Sequence, residues 1–176
     1  DVYKRQAVTN LPTTLAEWLD YIERQHPAMI DMGLERVRAV ATRMGLGAPA
    51  KRTIVVGGTN GKGSTVAFIE AIGRAAGWKV GAYTSPHLLR YNERVRIDGQ
   101  DAEDAALVAA FNAVEAARGD ITLTYFEYGT LAALQLFAGA ALDLAVLEVG
   151  LGGRLDAVNI VAVSYTHLTL PTILLV

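Results

Sequence analysis

Apolar residues along this chain switch between two spacings, one typical of strands and one typical of helices. The β-branched run Ile54–Val56 has no polar residue within it and predicts a strand buried on both faces of a parallel sheet. A helical spacing follows Ser64, and the helix is expected to end near Gly77. Its apolar face is expected to consist of Val66, Phe68, Ile69 and Ile72. A second short strand, Lys79–Tyr83, comes next.

The same patterns predict the remaining elements. Four further helices are predicted from their apolar faces, which are Leu15/Trp18/Leu19/Ile22, Leu34/Val37/Ala41/Met44, Leu107/Val108/Phe111/Val114 and Leu131/Leu134/Phe137. The helix that contains Leu107 is expected to begin at Asp101. Val95–Gly99 alternates like an exposed strand that ends in a turn, and Asp143–Glu148 predicts another buried strand. Because a strand–helix–strand unit crosses over right-handed into a parallel arrangement, we expect an α/β fold. Its core is a P-loop-type parallel sheet flanked by helices.

A glycine-rich turn joins the first predicted strand to its helix. It contains Gly58, Thr59, Asn60, Gly61, Lys62, Gly63 and Ser64. Glycines at a helix start let backbone N–H groups converge on an anion, and a lysine there reaches the β- and γ-phosphates of a nucleotide. The loop departs from the usual phosphate-loop pattern, with Val56 at the first glycine position and Gly63 between Lys62 and Ser64. A tight turn without a ligand is the alternative, but it does not explain a lysine among four glycines, counting Gly57 just before the turn.

Two further segments are expected at the carboxyl edge of the sheet. Glu148 is an acid at the point where a buried strand ends, so it needs a cation or hydrogen-bond donors. With Lys62 and Ser64 at a neighbouring strand's exit, it is placed to bind the magnesium of ATP. Thr84–His87 follows the second strand at the same edge, where open α/β sheets bind ligands. On its own, Ser85 before a proline indicates only the start of a turn.

Thr124 and Glu127 have the spacing of a capping box before an apolar helix. That structural role explains both residues without a ligand.

Composition narrows the class of protein. The 176 residues carry a net charge of −2, which provides no basic field for nucleic acid, and there is no cysteine for a disulfide or a thiolate metal site. No stretch approaches the ~20 apolar residues of a membrane span, and no signal peptide pattern is present at the start. We therefore expect a soluble cytoplasmic protein that binds neither nucleic acid nor membrane.

Three motifs in order resemble the folylpolyglutamate synthase/dihydrofolate synthase family of Mur-type ATP-dependent amide ligases. They are Gly58–Ser64, Tyr83–Leu88 and Glu148–Asp156, and the resemblance extends from about Leu15 to Val161. The resemblance implies ATP and Mg²⁺ as cofactors and dihydropteroate or folate plus L-glutamate as substrates. It also implies an acyl phosphate, formed when the substrate carboxylate attacks the γ-phosphate and then captured by the glutamate amine, and a monomer when full length.

The resemblance also implies roles for individual residues. It makes Ser85 a magnesium ligand together with Glu148, with Ser64 supporting the same ion, and it makes Lys62 the catalytic cation. The predicted substrate contacts are Arg24, Gln25, His26 and Pro27 at the end of the first helix, Thr124, Tyr125, Phe126 and Glu127 at the capping box, and Leu155, Asp156 and Ala157 after the last motif. At the capping box, Tyr125 or Phe126 is expected to stack on the flat pterin.

The resemblance stops after Val161, before the family's remaining metal and adenine ligands. We therefore predict a non-native leader at residues 1–6, the N-terminal part of the ATP-binding ligase domain at 7–162 and a non-native tail at 163–176. Two alternatives stay open. A cell-wall Mur-type ligase would use the same chemistry on a UDP-sugar peptide, and a nucleotide-binding fragment without catalytic activity would fit the chain as it stands.

Overall fold

The computed structural model of the protein describes residues 11–25, 33–151 and 153–161, together with the backbone of 168–169. The helices are α1 (Leu15–Glu23), α2 (Glu35–Arg43), α3 (Lys62–Ala75), α4 (Asp104–Arg118) and α5 (Tyr125–Gly139). The strands are β1 (Arg52–Gly57), β2 (Val80–Tyr83), β3 (Val95–Ile97), β4 (Gln100–Asp101), β5 (Leu144–Glu148) and β6 (Leu168–Thr169). Short 3₁₀ turns cover Tyr91–Arg94, Gly153–Leu155 and Ala157–Ile160.

One sheet organises these elements, with the strand order β4-β3-β2-β5-β1-β6. β5 pairs in parallel with β1 on one side and with β2 on the other, and β6 also runs parallel to β1. β3 and β4 form an antiparallel extension beside β2. The predicted α/β fold with a parallel sheet flanked by helices is confirmed, and its antiparallel edge was expected only as the exposed strand Val95–Gly99.

Alternating side chains of the central strands build two cores. Residues on one face, among them Val56 and Val146, pack with Val66 of α3. Their neighbours along each strand, among them Val55 and Leu147, join a larger core that includes α1, α2, α4 and α5. Because successive strand residues point to opposite faces, each central strand is buried on both sides, as its apolar run predicted.

The predicted apolar face of α3 is wrong at two positions. Phe68 is 71% exposed and Ile72 is 68% exposed, whereas Val66, Glu70 and Gly73 are buried. Gly73 allows α3 to lie directly on the sheet, since a Cβ there would come within 2.9 Å of Val80. The spacing of apolar residues could not identify a buried face that is made partly of glycine and of a charged residue with a partner.

The start of α4 also differs from the prediction. Asp101 lies in β4 and the helix begins at Asp104. Asp98 and Gly99 have positive φ and turn the chain from β3 into β4, so Asp101 is used by the hairpin. The expectation that the Val95 strand is exposed holds only in part, because Val95 itself is fully buried against the core.

The predicted capping box of Thr124 and Glu127 is confirmed, and the structure shows a second one at the start of α1. Thr14 caps α1 with Glu17, and Thr124 caps α5 with Glu127, each pair exchanging side-chain and backbone hydrogen bonds. None of the helices in the described part of the chain has the length and apolarity needed to cross a bilayer.

Candidate functional site

The register of the sheet brings three loops together. Val56 near the end of β1 pairs with Glu148 at the end of β5, and Tyr83 at the end of β2 pairs with Leu147. Since β5 lies between β1 and β2, the glycine-rich turn, Glu148 and the Thr84–His87 segment leave the sheet side by side. This is the carboxyl edge, where parallel α/β sheets bind ligands.

The glycine-rich turn is open to solvent and leads directly into α3. Gly61 is the N-cap residue with φ 75°, a left-handed conformation that favours glycine. The helix then begins at Lys62, so the N–H groups of its first turn have no partner within the helix and the helix dipole adds partial positive charge there. The Lys62 Nζ donates to the carbonyl oxygen of Gly58 at 3.0 Å, which places the ammonium across the loop. This arrangement fits an anion such as a nucleotide phosphate.

Glu148 is buried in the centre of this edge. Its side chain lies next to the first turn of α3, since a Cβ on Gly63 would be 3.9 Å from the carboxylate. Its Oε2 accepts a hydrogen bond from the Ser85 backbone N–H at 3.0 Å. Burial raises the pKa of Glu148, and the Ser85 N–H, Lys62 and Arg96 oppose that effect. A buried carboxylate held in this way favours a nearby cation.

The predicted magnesium ligands Ser85 and Glu148 lie side by side, and their role as ligands stays a prediction. Ser85 and Glu148 are in direct contact, and in the described part of the chain the second oxygen of Glu148 accepts no hydrogen bond. Oxygen ligands from one or two side chains, completed by substrate phosphates and water, are the usual set for Mg²⁺. The described residues contain no group of three acidic, histidine or cysteine side chains that could hold an ion by itself. Ser64 is exposed on the first turn of α3, and its role as a supporting ligand stays a prediction.

An aromatic cluster lies beside the Ser85 loop at the start of α5. Phe126 is half-buried, with its ring centroid 5.9 Å from that of Tyr83. Phe126 also covers Gly150, where a Cβ would come within 2.8 Å of the ring. Tyr125 is half-buried and meets the Tyr91 ring edge-on at 6.0 Å. Both predicted stacking residues are therefore partly exposed to solvent.

Other predicted substrate residues act as internal anchors in this structure. Glu127 is buried, with one oxygen accepting from the Thr124 N–H and the other from Arg36 of α2 at 3.0 Å. Asp156 is buried and accepts from the backbone N–H groups of Gly150, Leu151 and Val158. Burial raises the pKa of Asp156, and the three N–H donors oppose it.

The neighbours of Asp156 differ from each other in exposure. Leu155 is 51% exposed, whereas Ala157 is buried. Leu155 thus offers the accessible side chain of this predicted segment.

The predicted contacts at the end of α1 are described only in part. Arg24 is exposed and pairs with Asp20, while the Gln25 side chain accepts a long hydrogen bond of 3.5 Å from Arg118 of α4. His26 and Pro27 lie outside the described residues. Burial raises the pKa of Tyr125; Arg94 opposes that effect and Glu23 at the end of α1 adds to it.

Three arginines that lie close together in the sequence have different partners in the structure. Arg90 is exposed and pairs loosely with Asp104, and Arg96 is bound to Glu70. Arg94 lies over the rings of Tyr91 and Tyr125 at 5.3 and 5.5 Å, and its Nε donates to His87 Nδ1 at 2.8 Å. No pattern in the neighbouring sequence signals this division, because several of the partners come from other segments of the chain.

Known proteins resemble this chain in sequence and in structure. No family model matches the chain. A dihydrofolate synthase/folylpolyglutamate synthase from Escherichia coli K12 is 60% identical over 147 residues, covering 84% of this chain and 35% of the relative. The namesake from Haemophilus influenzae is 54% identical, covering 84% of this chain and 33% of the relative. This chain is a homologue of part of these synthases.

Solved structures agree with that relationship. An E. coli FolC in complex with DHPP and ADP superposes with a TM-score of 0.84 at 58% identity, covering 86% of this chain and 36% of that one. A bifunctional folylpolyglutamate synthase/dihydrofolate synthase with Mn, AMPPNP and L-glutamate bound gives a TM-score of 0.82 at 58% identity, with the same coverage. The chain thus spans about a third of the length of the synthases that it matches.

Proposed function

We propose that this chain forms the phosphate-binding part of an ATP-dependent ligase that joins L-glutamate to dihydropteroate or a folate. The supporting observation is the sheet register, which aligns the glycine-rich loop, Glu148 and Ser85 at one edge. The solved relatives of similar fold carry ADP, or AMPPNP with Mn and L-glutamate. Because this chain corresponds to about a third of those proteins, the complete reaction belongs to a longer protein and the chain alone binds nucleotide.

Each residue of the loop has a defined task in this proposal. The first-turn N–H groups of α3 bind the β- and γ-phosphates, and the Lys62 ammonium moves from Gly58 to a phosphate oxygen. Glu148 and Ser85 hold Mg²⁺, which neutralises charge on the phosphates when bound. These cationic and dipolar groups stabilise the charge that develops as a substrate carboxylate attacks the γ-phosphate to give an acyl phosphate.

The aromatic cluster supplies the acceptor side of the site. We propose that a pterin ring stacks on Phe126 or Tyr125, while Leu155 contributes an apolar contact and the anchored residues hold the loops in place. Arg24 and Gln25 at the end of α1 are proposed as further substrate contacts, together with His26 and Pro27, which lie outside the described residues. A cytoplasmic location and a monomeric full-length protein accompany this proposal.

Calorimetric titration of this chain with Mg-ATP tests the phosphate site. Lys62→Ala should weaken binding by roughly 10- to 100-fold, since hydrogen bonds to charged groups contribute about 1.5–3 kcal/mol. Lys51→Ala is the matched control. It removes the same charge from the opposite edge of the sheet, where Lys51 pairs with Asp143, and it should bind like the wild type. Equal affinity in Lys62→Ala and wild type would contradict the proposal.

A second titration tests the acceptor. Dihydropteroate should bind, and Phe126→Ala should weaken this binding by roughly 5- to 100-fold if a base-like ring stacks there, because one aromatic stack contributes about 1–3 kcal/mol. Phe68→Ala is the control, since it removes a 71% exposed phenyl ring on α3, away from the cluster. Binding of a UDP-sugar peptide in place of dihydropteroate would instead favour the cell-wall ligase.

A further inference from the structure

A buried acid lies in the middle of α3. Glu70 is 7% exposed, although its helix begins at the phosphate loop and presents exposed apolar residues elsewhere. Its carboxylate accepts from Arg96 Nη2 at 2.8 Å and from Arg96 Nε at 3.0 Å. An acid with this little exposure requires such a partner.

Arg96 connects more than this one pair. From β3, its Nη1 donates to the Glu93 carbonyl at 3.1 Å and to Thr84 Oγ1 at 3.4 Å. The guanidinium therefore joins α3, the 3₁₀ turn before β3 and the end of β2 through one planar group. Arginine is suited to this task because its donors lie in a fixed fork.

These contacts close a ring around the proposed metal site. Thr84 precedes Ser85, whose N–H binds Glu148, and Glu148 lies against Gly63 in the first turn of α3. Glu70 lies two turns further along that same helix, about 10 Å from Gly63 by helical rise. The path from α3 through Arg96 to Ser85 and Glu148 thus returns to the helix that carries the phosphate loop.

We infer that the Glu70–Arg96 pair is a positioning device for metal binding, which fixes the Ser85 loop and Glu148 relative to the phosphate loop. This inference rests on the proposed function. In this inference the pair acts through Thr84 and Ser85 and not by binding nucleotide directly. The role is distinct from stability alone, because it predicts a change in metal affinity at unchanged metal-free nucleotide affinity.

The chain offers a matched control pair. Arg74 and Asp98 also join α3 to the β3–β4 hairpin, at 3.4 Å, but their side chains are 46% and 56% exposed. This pair lies beyond the ring described above. Removing it tests whether any link between the two elements produces the same effect.

The experiment uses the double variant Glu70→Gln/Arg96→Met, which avoids leaving a buried charge without a partner, and the control Arg74→Met/Asp98→Asn. Amide exchange by NMR is measured first, without nucleotide. We expect exchange of the Ser85 amide to rise at least 10-fold in the first variant and to stay unchanged in the control. Thermal denaturation establishes that both variants are folded. If a folded Glu70→Gln/Arg96→Met protein shows wild-type Ser85 exchange, the inference is overturned, whatever the nucleotide results.

Metal binding is the second readout. The Mn²⁺ affinity of the nucleotide complex, followed by electron paramagnetic resonance, should fall about 5- to 10-fold in Glu70→Gln/Arg96→Met. Nucleotide affinity without metal should match the wild type, and Arg74→Met/Asp98→Asn should match it in both measurements. Equal losses with and without metal would overturn the metal-positioning role. If the wild type shows no metal-dependent nucleotide binding while Ser85 exchange still responds, the positioning of the loop is supported and the proposed function fails.

Discussion

Replacing Asp156 tests whether this residue is an anchor or a free substrate ligand. Its Oδ2 accepts from the N–H groups of Gly150 and Leu151, and its Oδ1 accepts from Val158. Val158 is fully buried, so in Asp156→Ala its N–H has neither a partner nor water. Gly150 and Leu151 lie nearer the surface, where water can replace the carboxylate.

The expected cost follows from these three bonds. An unsatisfied buried N–H costs about 1–3 kcal/mol, and each bond that water replaces costs about 0.5–1.5 kcal/mol. Removing a buried carboxylate relieves some desolvation, because burial raises the pKa of Asp156. We therefore expect Asp156→Ala to lower the free energy of unfolding by about 2–4 kcal/mol. For a chain of this size, that corresponds to a fall in Tm of roughly 5–15 °C.

Urea denaturation followed by circular dichroism measures this loss as a lower midpoint at unchanged slope. Asp101→Ala, which removes an exposed carboxylate from β4, is the control and should remain within about 0.5 kcal/mol of the wild type. A stable Asp156→Ala protein that no longer binds dihydropteroate would refute the reasoning, because the carboxylate would then be available to substrate. Loss of both properties together would show that substrate binding depends on the anchored loop.

Three further outcomes can be checked by the same denaturation assay. Gly81→Ala should cost about 1–3 kcal/mol, because the new Cβ would lie 2.9 Å from the buried Phe137 ring, whereas Gly139→Ala meets open space and should be neutral or stabilising. Thr124→Ala should cost about 1 kcal/mol through loss of the α5 cap, and an unchanged midpoint would contradict that role. Burial raises the pKa of Glu115, but hydrogen bonds from an arginine and two tyrosines lower it by more, to a value below 4.5. The stability it contributes is therefore present above pH 4.5 and is lost as pH falls through the folded-state pKa, and Glu115→Gln should remove this part of the acid dependence.

The local elements could be predicted because their signals are local. A β-branched run buried on both faces, a glycine-rich turn and the capping box of Thr124 and Glu127 each specify backbone structure within a few residues. The parts of the candidate site that such local signals specify could also be predicted. The turn at Gly58–Ser64 and the acid at Glu148 both lie where a strand ends, and parallel strands bring such ends to one edge.

The errors came from partners that lie far apart in the sequence. Glu70 is buried because Arg96 reaches it from β3, so the inner face of α3 contains an acid where periodicity favoured Phe68 and Ile72. Arg94 differs from its neighbouring arginines through the tyrosine rings beneath it and its hydrogen bond to His87. No pattern within a short window contains that information.

The central position of β5 has a consequence for how the protein is made. β1 and β2 do not pair with each other, and β5, which lies between them, is synthesised after both. The residue of β5 that pairs with Val56 comes about ninety positions later in the chain. Once β2 has been made, β1 and the side of β2 that faces it in the folded sheet both lack the strand that pairs with them, because β5 is synthesised later. Until β5 pairs with them, both strands have unpaired backbone edges that other chains can bind. The phosphate loop is thus complete as a sequence before the strand that carries Glu148 has been made.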